Sequence, residues 1–140
     1  MKARRCISNK LYPNCASALF DLKDNAVVLF GGFGLCGYFK IHYLYLLFCI
    51  TIGIPENLIR AIDNSSIKNI TAVSNDVGTE SCGLGLLVKS KKINKLIVSF
   101  IGDNPLISPL VLAKELKVDF VPQGTLAEKL RCGGAGIPGK

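Results

Sequence analysis

The stretch that most constrains the fold is Asp24 to Gly37, Asp-Asn-Ala-Val-Val-Leu-Phe-Gly-Gly-Phe-Gly-Leu-Cys-Gly. Ala26 to Phe30 is an unbroken apolar run that holds the β-branched pair Val27 and Val28. Such a run predicts a strand buried on both faces, as in a parallel sheet. Glycines 31, 32, 34 and 37 follow at once. Glycine accepts positive φ and lets a second backbone or a ligand come close. A buried strand opening into this loop points to a ligand site at the carboxyl end of the strand, where open α/β sheets hold their ligands.

The remaining chain alternates strand and helix signals. Leu11 to Leu22 predicts a short helix of about two turns, capped by Asn14 or Ser17. Ile54 to Ile62 predicts a helix with Pro55 at its first position and Glu56 complementing the positive end of its dipole. Its apolar stripe is Leu58, Ile59 and Ile62. Ile70–Val73 predicts a second buried strand that ends in Ser74-Asn75-Asp76. Gly83 to Val88 predicts a short helix closed by Lys89 to Lys92. Strands are expected over Ile93–Ile101 and Val118–Val121, with a short helix over Leu110–Leu116 between them. Leu126 to Arg131 predicts a helix with a capping box formed by Thr125 and Glu128. The pattern implies an α/β class, an open and mostly parallel sheet with flanking helices and right-handed crossovers.

A length of 140 residues fits one domain. The net charge of +7 is scattered along the chain without interleaved aromatics, which argues for solvated faces and against a nucleic-acid partner. Six cysteines show no CxxC pair and read as reduced, mostly buried thiols of an intracellular protein. The single histidine, His42, lies in an apolar stretch, and no metal site is expected. Residues 1–10 carry four basic residues and no acid, the composition of a transit-peptide stub; a frayed basic terminus is the alternative.

Tyr38 to Gly53 differs from everything around it, being nearly all Ile, Leu, Phe and Tyr with no acid. The uncharged run Ile41–Ile54 has fourteen residues. A spanning helix needs about 20, so no membrane span is expected. A small protein attached to a membrane by residues 41–54 is one alternative reading.

The glycine loop has two readings. Gly32-x-Gly34-x-x-Gly37 matches a dinucleotide fingerprint, which would make the chain a nucleotide-binding module using residues 31–37. That fingerprint needs a helix opening at its third glycine, and Gly37 is followed by neither an N-cap nor a first-turn acid. The second reading is a resemblance. Asp-Asn-x-x-Val-Leu-Phe-Gly-Gly-Phe-x-x-x-Gly resembles the first signature of the 3-oxoacid CoA-transferase family, in which Ile-Pro-Glu-Asn-Leu follows the last glycine directly. Here Ile54-Pro55-Glu56-Asn57-Leu58 comes sixteen residues late. Four further stretches resemble the family in order: Ile70–Asn75, Cys82–Leu87 with Cys82 in place of an aromatic, Glu115–Glu128, and Gly133–Pro138. The resemblance covers nearly all of residues 11–140. It implies part of the family's first subunit-like, amino-terminal domain, interrupted by residues 38–53.

Deleting residues 38–53 joins Gly37 to Ile54 and restores the family motif. Gly37 and Ile52-Gly53 are the residues that read-through of a phase 1 intron would encode, so the segment is expected to be translated intron; a lineage-specific insertion is the alternative. Gly139-Lys140, where the family continues with Ala-Phe-Tyr, is likewise what a splice donor encodes when read through.

The resemblance implies a chemistry. In the family a glutamate carboxylate attacks an acyl-CoA thioester, a glutamyl-CoA thioester forms, and CoA passes to a 3-oxoacid. The implied substrates are succinyl-CoA and acetoacetate, used in ketone-body catabolism in the mitochondrial matrix. The full enzyme is expected to be a homodimer with no cofactor beyond the CoA thioester it takes as substrate. Asn75 and Gln123 correspond to polar residues that contact the substrate or its oxyanion. On the residues alone, Asn75 caps a turn and Gln123 bonds local backbone. Gly31, Gly32, Phe33, Gly34, Gly37 and Pro55 form the glycine-loop motif. The nucleophilic glutamate lies near a Ser-Glu-Asn-Gly motif in the second half of the family's enzymes. Glu56, Glu80, Glu115 and Glu128 are helix or loop acids, so the chain alone is expected to be inactive.

Overall fold

The computed structural model describes residues 11–32, 53–102 and 104–138. Its strands are β1 (Val27–Leu29), β2 (Ile70–Ser74), β3 (Ile93–Val98) and β4 (Lys117–Phe120). Its helices are α1 (Cys15–Ala18), α2 (Glu56–Asp63), α3 (Leu84–Lys89), α4 (Ile107–Leu112) and α5 (Gln123–Ala135). The strands form one sheet in the order β1-β2-β3-β4, every neighbouring pair parallel. This is the expected α/β architecture.

Register sorts the two faces of the sheet. Val28, Ala72, Leu96 and Val118 stand side by side across the four strands. With Ile70 and Val98 they floor the core, covered by Ile59 and Ile62 of α2, Leu87 and Val88 of α3, and Ile107 of α4. Burying each large aliphatic of this set is worth about 1.5–3 kcal/mol. The opposite face carries Val27, Leu29, Val73, Lys95, Ile97 and Asp119. Lys95 Nζ meets Asp119 Oδ2 there at 2.6 Å. The expectation that β1 is buried on both faces is therefore corrected. β1 is an edge strand, and Val27 and Leu29 are 64% and 58% exposed.

The element ends follow from local bonding. α1 is a single turn rather than two. Asn14 caps it: its Oδ1 accepts the Ser17 N–H at 2.7 Å, and Ser17 Oγ accepts the Asn14 N–H at 3.4 Å. In α2, Pro55 is the N-cap rather than the first helical residue. Ile59 and Ile62 turn inward, Arg60 outward, as an amphipathic helix requires. β3 ends at Val98, short of the expected Ile101, because the N–H groups of Ser99 and Phe100 both turn to the Asn75 carbonyl. α4 begins three residues before the expected Leu110 and stops at Leu112. Pro109 fits its first turn, where a missing N–H leaves no helical bond unmade. Lys114 then adopts φ +60°, and the N–H groups of Glu115 and Leu116 fold back onto the Leu110 carbonyl.

The capping box expected at Thr125 and Glu128 does not form. Pro122 ends β4 and serves as N-cap, so α5 starts at Gln123 and both residues lie inside it. Glu128 instead takes Arg131 in a fork, with Nε at 2.8 and 3.0 Å from its two oxygens and Nη2 against Oε1. The Arg131 hydrogen bond holds the Glu128 carboxyl below its ordinary value and raises Arg131 in return. Both side chains are solvated, so this pair adds little to stability.

The transit-peptide stub at residues 1–10, His42, and residues 38–52 of the apolar insertion and membrane-anchor readings lie outside the described residues. Among the described residues, no helix is long and apolar enough to cross a membrane. Cys15, Cys82 and Cys132 are free thiols and half-buried, where mostly buried thiols were expected.

Candidate functional site

The chain segments that leave β1 and β2 and the first turns of α5 enclose a cleft of about 240 Å³ at the carboxyl edge of the sheet. Phe30, Gly31 and Gly32 form one wall, Ser74 and Asn75 the floor, and Gln123 the far rim. Leu29 and Val73 from the open sheet face, with Leu126, Ala127 and Leu130 of α5, make the remaining surface apolar. α5 thus reaches back from β4 over the ends of β1 and β2. Leu126 is buried there, outside the main core.

Close backbone approach dictates glycine in the first wall. A Cβ on Gly31 would stand 2.8 Å from the Gly53 carbonyl oxygen, and one on Gly32 would stand 2.4 Å from Ile54 Cγ1. Gly32 also has φ +132°, a conformation that side chains rarely adopt. The Phe30 N–H extends the ladder to the Val73 carbonyl at 2.8 Å, which holds this wall against the end of β2.

Asn75 is fixed by its backbone. Its carbonyl accepts the N–H groups of Ser99 at 3.2 Å and Phe100 at 3.0 Å. Its side-chain Oδ1 is buried and has no hydrogen-bond partner, so the side chain is not spent on capping the turn. Gln123 is the first residue of a thirteen-residue helix. Among the described residues its side-chain amide has no hydrogen-bond partner. The first α5 amide with a helical partner is that of Leu126, bonded to the Pro122 carbonyl at 2.9 Å. The amides before it and the positive end of the helix dipole stand at the rim beside Gln123.

The structure therefore brings Gly31, Gly32, Asn75 and Gln123 around one cleft. Pro55 does not line it. Phe33, Gly34 and Gly37 lie outside the described residues. Ser74 escaped the sequence reading as a site residue. Its signal was the inward alternation of Ile70, Ala72 and Ser74, which puts a buried hydroxyl residue last in β2. The apolar contribution of α5 was also missed, because it depends on where the helix crosses the sheet.

The four glutamates of the chain are all engaged away from the cleft. Glu56 Oε1 accepts the Gly83 N–H at 2.5 Å. Glu80 pairs with Lys89 at 2.9 Å, Glu115 with Lys91 at 2.8 Å, and Glu128 with Arg131. Among the described residues no cluster of three His, Cys, Asp or Glu side chains could hold a metal ion. The cleft offers amide donors, apolar walls and close backbone approach, the equipment for holding and polarising a carbonyl group.

Residues 42–140 match the family model described as Coenzyme A transferase, and the chain belongs to that family. Over 134 residues it is 40% identical to "Succinyl-CoA:3-ketoacid coenzyme A transferase 2A, mitochondrial" of Rattus norvegicus, covering 96% of this chain and 23% of the relative. Over 118 residues it is 44% identical to a probable succinyl-CoA:3-ketoacid coenzyme A transferase subunit of Bacillus subtilis (strain 168), covering 84% of this chain and 43% of that protein. The chain thus spans about a quarter of the mitochondrial relative and less than half of the bacterial one. Among solved structures it resembles the apoenzyme of an acyl-CoA transferase (YdiF) from Escherichia coli O157:H7. The TM-score is 0.68 at 19% identity, over 100% of this chain and 26% of that one, a likeness of fold. Of the two readings of the glycine loop, family membership supports the CoA-transferase signature.

Proposed function

We propose that the chain is the amino-terminal part of a 3-oxoacid CoA transferase and that its cleft holds the thioester carbonyl of an acyl-CoA. The observation that carries this reading is the meeting of Gly31, Gly32, Asn75 and Gln123 around one cleft, where two strand ends and a helix start converge. The Gly31–Gly32 wall presents backbone rather than side chain to the ligand. The Asn75 and Gln123 amides donate to the carbonyl oxygen as it gains negative charge. The apolar walls take the carbon chain flanking the thioester.

The nucleophile is a carboxylate supplied by the remainder of the full-length enzyme. Its oxygen attacks the thioester carbon, the oxyanion collapses and the CoA thiolate leaves. The thiolate then attacks the activated glutamyl carbonyl, releasing the first acid and leaving CoA on the enzyme. Attack by the acceptor carboxylate reverses the sequence and frees the glutamate. Succinyl-CoA as donor, a 3-oxoacid as acceptor and a mitochondrial location belong to this proposal and follow the names of the mitochondrial relatives. Acetoacetate as that acceptor, ketone-body catabolism and a homodimeric full enzyme are proposed with them on the resemblance to the family. The absence of any cofactor beyond the CoA thioester is proposed with them.

Two measurements test the reading. Purified chain mixed with succinyl-CoA and acetoacetate is expected to show no turnover, and clear turnover would overturn the placement of the nucleophile. Calorimetric titration with succinyl-CoA is expected to show saturable binding that Gln123→Ala weakens about tenfold, the equivalent of one hydrogen bond to developing or full charge. Absence of saturable binding would overturn the assignment of the cleft.

A further inference from the structure

The first residue of α2 reaches across to the loop that follows β2. Glu56 Oε1 accepts the Gly83 N–H at 2.5 Å, and its own N–H bonds the Ile54 carbonyl at 3.0 Å. Ile54 is the residue against which Gly32 is packed, and its Cδ1 would lie 3.5 Å from a Cβ on Gly83. One short segment, Ile54 to Glu56, therefore touches both loops of the carboxyl edge. Its side-chain packing meets the glycine wall after β1, and its charged hydrogen bond meets the loop after β2.

The loop that Glu56 holds is the one that Asn75 begins. Asp76 Oδ1 closes its first turn on the Gly78 N–H at 2.6 Å, and Asn104 Nδ2 donates to the Gly78 carbonyl at 3.2 Å. Gly83 ends it with φ +69° and opens α3. Without Glu56, its amide would have no partner at this junction among the described residues. Glu56 Oε2, meanwhile, is buried with no hydrogen bond, and Arg60 Nε stands 4.0 Å away on the next turn. A buried carboxylate oxygen without a partner is costly and calls for a compensating role.

We infer that Glu56 is a positioning residue of the CoA-thioester cleft, a latch that fixes the Gly31–Gly32 wall relative to Asn75 by holding the Gly83 amide. The inference rests on the proposed reading of the cleft, but the latch itself can be observed without ligand. A charged hydrogen bond to a backbone amide holds two loops at a set separation better than apolar contact, because it is directional. The cleft then keeps the spacing its ligand needs before the ligand arrives.

The test uses amide hydrogen exchange and resonance positions of the 140-residue chain, comparing wild type with Glu56→Gln and Glu56→Ala, followed by titration with free coenzyme A. Gln keeps an acceptor oxygen for Gly83, so the Gly83 amide is expected to stay protected in it and to lose protection in the Ala variant. In Glu56→Ala the resonances of Gly31, Gly32 and Asn75 shift, while Leu96 and Val98 in β3 keep their exchange rates. Coenzyme A affinity falls about tenfold in Glu56→Ala and stays within about threefold of wild type in Glu56→Gln. Unmoved Gly31, Gly32 and Asn75 resonances in Glu56→Ala would overturn the inference. So would loss of protection spread evenly over the sheet, which marks a general structural support. Wild-type chain that fails to bind coenzyme A would overturn the functional reading, and the amide data would still decide the latch.

Discussion

Gly32, in the wall of the cleft, packs against Ile54: a Cβ on Gly32 would come within 2.4 Å of Ile54 Cγ1, although residues 33–53 separate the two in sequence. The contact joins the end of β1 to the start of α2 and so sets one wall of the site. It also explains why this position is glycine, since φ of +132° and the approaching side chain both exclude a methyl group.

Gly32→Ala is accordingly expected to destabilise the chain by about 2 kcal/mol, from backbone strain and overpacking together. Urea unfolding followed by far-UV circular dichroism measures it. Ile54→Ala in the same chain removes the clash but not the strain, so the double variant should be less destabilised than the sum of the singles. That non-additivity is the signature of direct contact. Additive losses would mean the two residues do not meet.

Asn75→Ala should separate stability from binding. The side-chain Oδ1 is buried without a partner, so deleting the amide removes an unmet polar group rather than a native bond. The urea midpoint is expected to stay unchanged or rise, while succinyl-CoA binding falls about tenfold or more. A large loss of stability with unchanged binding would make Asn75 a structural residue.

Much of this arrangement is legible in the chain itself. The apolar runs at 26–30, 70–73, 93–101 and 118–121 mark all four strands, and their spacing forces the helical connections between them. Asn75 and Gln123 stand out because each follows a strand. The exposure of β1 is not legible, because an apolar pentamer looks the same in the centre of a sheet and at its edge. Only pairing with β2 alone shows Val27 and Leu29 to be uncovered. The starts of α4 and α5 escape for a different reason. Pro109 and Gly124 read as helix breakers, but both sit in first turns, where neither an N–H nor a strong propensity is required. The Glu56 bond to Gly83 links positions 27 residues apart and carries no local pattern at all.

Glycines within α5 predict the opposite sign to Gly32. Gly133 and Gly134 are helical, and nothing lies within 4 Å of a Cβ on either. Alanine at each should stabilise the chain by about 0.5–1 kcal/mol through the lower entropy of the unfolded state and better helix propensity. Gly136 has φ +69° as the left-handed cap, so Gly136→Ala should cost stability despite equally open surroundings. Thermal unfolding of the three variants reads both signs, and stabilisation by Gly136→Ala would contradict the cap assignment.

The packing of Gly32 against Gly53 and Ile54 supports the proposal that residues 38–53 are removable. A Cβ on Gly53 would lie 3.7 Å from the Gly32 nitrogen, so the described residues flanking positions 33–52 are already side by side. Joining Gly37 directly to Ile54 leaves residues 33–37 to bridge a gap between neighbours. Shortening a closed loop this far lowers its entropic cost by about 1 kcal/mol. It also removes an uncharged, β-prone apolar strip of the kind that promotes self-association. The deletion variant is expected to keep the wild-type circular dichroism spectrum, to unfold at higher urea and to remain monodisperse at concentrations where the full chain aggregates. Transcript sequencing across codons 30–60 is expected to show Gly37 spliced to Ile54. A deletion variant that fails to fold would show that the scaffold depends on the segment, and a mature message that retains it would identify residues 38–53 as a genuine insertion of this protein.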